Sequence, residues 1–122
     1  MMSSEDKKVL LLLHLIIFNY HGLDEKERLF LNDLSLKHDA KDELKWAHEI
    51  VGDDYYTSYE TIHAWFDKVI EGLSTEKRLG FLQMVWDANV NKGFISEMEA
   101  TAMLKIAKRW NVQKELLSYI RK

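Results

Sequence analysis

The sequence predicts an all-α fold: a single compact domain over residues 1–122, made of about seven short helices. Three observations carry this. Proline is absent from all 122 residues, so nothing forbids helix inside any segment. Helix-start signals recur at short intervals along the chain. Strand signals are nearly absent, the short stretch Asp54-Tyr55-Tyr56-Thr57 being too brief to count. The length suffices to bury one sizeable core.

The first helix is expected from Glu5 to Tyr20. Val9 to Phe18 is apolar at every position but His14, and a helix apolar all round is buried all round. The run falls short of the ~20 residues that span a bilayer, and the acids Glu5 and Asp6 before it are unlike a targeting segment. No direct membrane insertion is expected. Asp24 with Glu27 has capping-box spacing and opens a second helix to Lys37, with Leu29, Phe30, Leu34 and Leu36 available for burial. Asp39, with Asp42 three places on, is expected to start a third helix through Val51. Thr57 with Glu60 opens a fourth that stops at Gly72, leaving Tyr55, Tyr56 and Tyr59 as an aromatic cluster on or beside a loop. Ser74 caps a fifth from Thr75 to Asn89. Ser96 with Glu99 opens the sixth, and Asn111 separates it from a short seventh.

Two stretches repeat one pattern of apolar helix, glycine-containing turn and acidic helix start. They are Phe18 to Arg28 and Trp86 to Ala100, each with an aliphatic residue (Leu23, Ile95) before the cap (Asp24, Ser96) and a glutamate three positions later (Glu27, Glu99). The fold is expected to be built on these two related repeats around the buried first helix.

The formal net charge is -3. Residues 1–61 hold 13 acids against 7 bases, and residues 62–122 hold 7 against 10. A nucleic-acid binder would be more basic and would carry a recognisable motif, so none is expected as a partner. A basic C-terminal face (Lys105, Lys108, Arg109, Lys114, Arg121, Lys122) would suit an acidic partner. Cysteine is absent, which excludes disulfides, thiolate metal sites and a cysteine nucleophile, and suits a reducing cytoplasm.

The second turn invites a metal reading. Asp87, Asn89 and Asn91 stand at positions 1, 3 and 5 of a would-be calcium loop, with Glu99 beyond; hard cations favour such oxygen ligands. The register fails at Lys92 and Met98, where glycine and a bidentate glutamate belong. Turn and capping chemistry explains the same residues without a cation. Glu60 and His63 share Glu-x-x-His spacing, yet the second copy that a di-iron bundle needs is missing. The five histidines show no paired spacing for zinc, and no nucleophile elbow, phosphate loop or dinucleotide fingerprint appears. His14, inside the apolar first helix, is expected to be a core residue with one hydrogen-bond partner.

With its repeat of Gly93-Phe94-Ile95-Ser96-Glu97-Met98-Glu99 followed by Ala100 to Leu104, and Leu23-Asp24-Glu25-Lys26-Glu27-Arg28 in the first copy, the chain resembles the TerB-like family of tellurite-resistance proteins. It departs from the family's Asp-Gly turn at Tyr20-His21 and at Lys92. The resemblance implies a seven-helix domain, a role in bacterial stress or chemical resistance beside membrane-bound partners, and no enzymatic activity or resident cofactor. The expected function is therefore a cytoplasmic protein-interaction module, to which a homodimer would be no obstacle. The alternative is a divalent-cation (calcium) binder using Asp87, Asn89, Asn91 and Glu99.

Overall fold

The computed structural model describes residues 2–19, 24–53, 55–91 and 95–121. Among the described residues there are seven helices, α1 (Ser4–Phe18), α2 (Glu25–Lys37), α3 (Lys41–Val51), α4 (Tyr55–Ile70), α5 (Thr75–Asn91), α6 (Glu97–Arg109) and α7 (Gln113–Ile120). No strand occurs among the described residues, so the all-α expectation holds. The chain divides into two compact units, Met1–Trp65 and Phe66–Lys122, with the boundary inside α4.

In the first unit, α1 is buried from Val9 to Phe18, as its uniform apolarity requires. It packs on both α2 and α3, more extensively on α3. Phe18 meets Phe30 of α2 edge-on at 5.8 Å between ring centroids. Trp46 of α3 lies 4.8 Å from Trp65, with the Lys8 ammonium 5.1 Å over its ring. In the second unit the fully buried Trp110 meets Phe66 at 5.2 Å. The core there is built from Phe81, Leu82 and Val85 of α5, Met103 and Ile106 of α6, and Leu116 of α7.

Helix ends are closed by recurring devices. Both expected capping boxes are present: Asp24 accepts from the Glu27 amide while Glu27 accepts from the Asp24 amide, and Ser96 and Glu99 reciprocate in the same way. Ser74 accepts from the Lys77 amide at 3.1 Å, as a cap for α5 should. Asp39, however, does not start α3. It takes φ 52 and terminates α2: its amide donates to Leu36 O, and the Ala40 amide to Ser35 O at 2.7 Å. This is the paired bonding of a left-handed helix stop. α3 begins at Lys41 after Ala40, with no side-chain cap. Aspartate suits both roles because its short polar side chain tolerates the left-handed region. Asn111 (φ 62) closes α6 identically, its amide reaching Lys108 O and the Val112 amide Ala107 O.

α4 starts earlier than its Thr57 signal suggests. Thr57 lies inside the first turn, so the Thr57/Glu60 capping reading is corrected, and Tyr55, Tyr56 and Tyr59 are helical, not loop residues. Tyr55 and Tyr59, one turn apart, meet with tilted rings at 5.6 Å between centroids, and Ser58 Oγ donates to Val51 O at 2.7 Å, tying α4 to the end of α3.

The left-handed stop gives a direct test. Asp39→Gly should leave the urea midpoint unchanged or raise it, whereas Asp39→Val should cost about 1–2 kcal/mol; equal midpoints for the two variants would show that the backbone there is unconstrained.

Candidate functional site

The turn after α5 is placed differently from the calcium-loop reading. α5 continues to Asn91, so Asp87, Asn89 and Asn91 are helical and do not line a loop. Residues two apart on a helix point to nearly opposite sides. Accordingly Asp87 is exposed and Asn89 fully buried. The Asp87 carboxylate accepts from Tyr119 Oη at 2.7 and 2.8 Å, a bond that raises the Tyr119 pKa above its ordinary value. Asn89 Nδ2 turns back to donate to Val85 O at 2.9 Å. Asn91 is exposed at the helix end, and Glu99 is buried in its capping box. α5 thus turns Asn89 away from Asp87 and Asn91, and Glu99 belongs to the start of α6. No cluster of three or more His, Cys, Asp or Glu suited to a metal occurs among the described residues. Lys92, Gly93 and Phe94, like Tyr20 to Leu23 of the first turn, lie outside the described residues.

The other candidates are dispersed as well. His63 is buried and its Nε2 lies 2.7 Å from Tyr55 Oη, with the Tyr59 ring at 4.3 Å; Glu60 is exposed. Of the basic C-terminal residues, Arg109 pairs with Asp67 through two bonds of 2.9 and 2.8 Å. Lys105, Lys108, Lys114 and Arg121 are exposed, and Lys122 lies outside the described residues.

His14 is fully buried between Phe18 and Phe30. Burial, and secondarily the charge of His38, lowers its pKa to about 3. Its Nδ1 has no hydrogen-bond partner among the described residues.

A feature not anticipated from the sequence lies between α2 and α3. An open groove of about 500 Å³ is lined by Asn32, Ser35 and Leu36 of α2 and by Lys41, Leu44, Lys45 and His48 of α3. Its titratable lining residues are all basic. Arg28, one turn before Asn32, adds a charge close enough to help lower the His48 pKa, although burial is the larger cause. Leu36 is 60 % exposed and Leu29 is 55 % exposed, correcting the expectation that both are buried. The buried face of α2 is Glu27, Leu31 and Ser35, and Leu29 and Leu36 project from another side. A surplus of leucine over what one helix face can bury was the signal in the sequence.

No family model matches this chain, nor does any curated protein or solved structure. No helix among the described residues is long and apolar enough to cross a membrane.

Two predictions arise here. His14 is neutral when folded and titrates near its ordinary value when unfolded, so between pH 6.5 and about 3 the unfolded chain binds the extra proton. Stability from this residue is complete above pH 6.5 and falls with acidification, by about 3 kcal/mol at pH 4. Urea titrations at pH 4 and 7 should show that difference shrinking by about that amount in His14→Leu; an unchanged difference would place the acid sensitivity elsewhere. For the turn, Glu99→Ala should cost about 1 kcal/mol equally with and without millimolar calcium. A calcium-dependent rise in melting temperature that Asp87→Ala removes would restore the ligand reading.

Proposed function

We propose that this protein is a non-enzymatic interaction module that holds a protein partner in a bacterial stress or chemical-resistance response. The observation that carries the reading is the α2–α3 groove, where Leu36 stands exposed in a basic lining and Leu29 is exposed two turns before it on α2. Large apolar side chains grouped on a surface mark contact sites more often than isolated ones do. Arg28, Lys41 and Lys45 make no ion pair with a described residue, so their charges are available to a partner. The resemblance to TerB-like domains supplies the biological setting, and with it a partner that belongs to a membrane-bound complex.

The polar residues of the α5–α6 turn support the same choice over cation binding. The Asp87 carboxylate already accepts from Tyr119 Oη and Glu99 Oε1 from the Ser96 amide, bonds that a cation would compete with. Asn89 bonds through Nδ2 alone among the described residues, and α5 holds it on a different side from Asp87.

Affinity purification of the tagged full chain from its native host should recover one specific protein in near-stoichiometric amount. A chain that always purifies alone, across growth conditions that include chemical stress, overturns the reading.

A further inference from the structure

We infer that the α2–α3 groove receives an acidic, leucine-bearing amphipathic helix of a partner protein. The inference rests on the reading of the chain as an interaction module and names the chemistry of what it holds.

The shape comes first. α2 has 13 residues, about 20 Å of helix, and α3 follows it after the short stop at His38 to Ala40. Two helices side by side leave a furrow that accepts the ridge of a third. Its apolar lining is Leu36 of α2 and the largely buried Leu44 of α3, and the exposed Leu29, two turns before Leu36 on the same side of α2, extends that apolar line past the lining. A partner helix with leucines at i, i+3 or i+4, and i+7 meets such a line over two turns.

Charge then selects the partner. Lys41 and Lys45 stand one turn apart on α3, His48 joins them in the lining with the Arg28 charge acting on it, and no acid lines the groove among the described residues. This local excess of base sits in the half of the chain where acids outnumber bases 13 to 7. A nucleic acid wants a more extended basic face than this, whereas a short helix with glutamates flanking its leucines matches a basic patch of this size.

The corresponding hairpin of the second unit carries a polar bond where the first has none among the described residues. α6 and α7 are joined by the same left-handed stop, with Asn111 and Val112 in place of Asp39 and Ala40. There Gln113 Nε2 donates across to Leu104 O at 3.2 Å. Gln113 stands where the first hairpin has Lys41, and Leu104 where it has Asn32: the polar bridge that spans one hairpin is replaced in the other by a lysine whose charge remains unpaired among the described residues.

The test uses the full chain and two synthetic helical peptides of about 14 residues, with identical leucine spacing, one filled with glutamate and the other with lysine. Fluorescence anisotropy should show the glutamate peptide binding at least tenfold tighter, with affinity falling as salt rises. Amide shifts should map to Leu29, Leu36, Leu44 and Lys45, and Lys41→Glu/Lys45→Glu, confirmed folded by circular dichroism, should weaken binding at least tenfold. Equal binding of the two peptides, shifts confined to another face, or an unaffected double variant would overturn the inference. So would a dimer in light scattering that Leu36→Lys dissociates, or binding to phosphatidylglycerol vesicles that the glutamate peptide does not compete. The partner purified from the host separates the two readings: if it remains bound to Leu36→Lys and to the double variant, the groove assignment fails while the interaction module stands.

Discussion

Seven short helices impose one recurrent constraint, which is that every helix end leaves backbone groups without an intrahelical partner. Much of the polar chemistry in this chain answers it. Asp24 with Glu27 and Ser96 with Glu99 close two helix starts. Asp39 and Asn111 close two helix stops. Arg78 does the most at a single point: its guanidinium donates to Ile70 O and Leu73 O at the end of α4 and to Trp110 O at the end of α6. A cation at two helix C-termini also meets the negative ends of both dipoles. Asn19 and Asn89 lie near the ends of α1 and α5, and each returns its amide to the carbonyl one turn back, at 3.0 and 2.9 Å.

These devices recur at constant spacing. Asp24 and Ser96, Glu27 and Glu99, Asp39 and Asn111, and Ala40 and Val112 are separated along the chain by the same number of residues. Ala40 and Val112, each just beyond a left-handed stop, are both buried, and each accepts the first helical bond of the next helix, from Leu44 and Leu116. The same capping box opens α2 and α6, the same left-handed stop closes both, and each is followed by a helix that starts without a side-chain cap.

Legibility followed the range of each interaction. The capping boxes and the buried first helix were readable because their partners lie within one turn or within one residue type. Asp39 was misassigned because helix start and left-handed stop draw on the same residue, and only Ala40 to Ser35 pairing tells them apart. Asp87 and Asn89 are residue types that compete with helical bonding, whereas here Tyr119 and Val85 O engage them while α5 continues to Asn91. Arg78 carried no local signal at all, since Trp110 is far along the sequence. The groove stayed hidden for a related reason: apolar content shows how much a helix has available to bury, but only its neighbours decide which leucines go under.

A division of labour follows from where polar groups are used. Asp87, Glu99 and Arg78 are each committed to a bond that holds a helix in place, so a ligand recruiting any of them competes with structure. Leu29, Leu36, Lys41 and Lys45 carry no such commitment. Exposed leucines add little to folding because their area stays in water, and exposed lysines without partners add still less. Residues that contribute little to the fold, grouped on one surface with apolar and basic character, can change or bind without loss of stability. That freedom is what a recognition surface requires, and in the first unit it coincides with the α2–α3 groove.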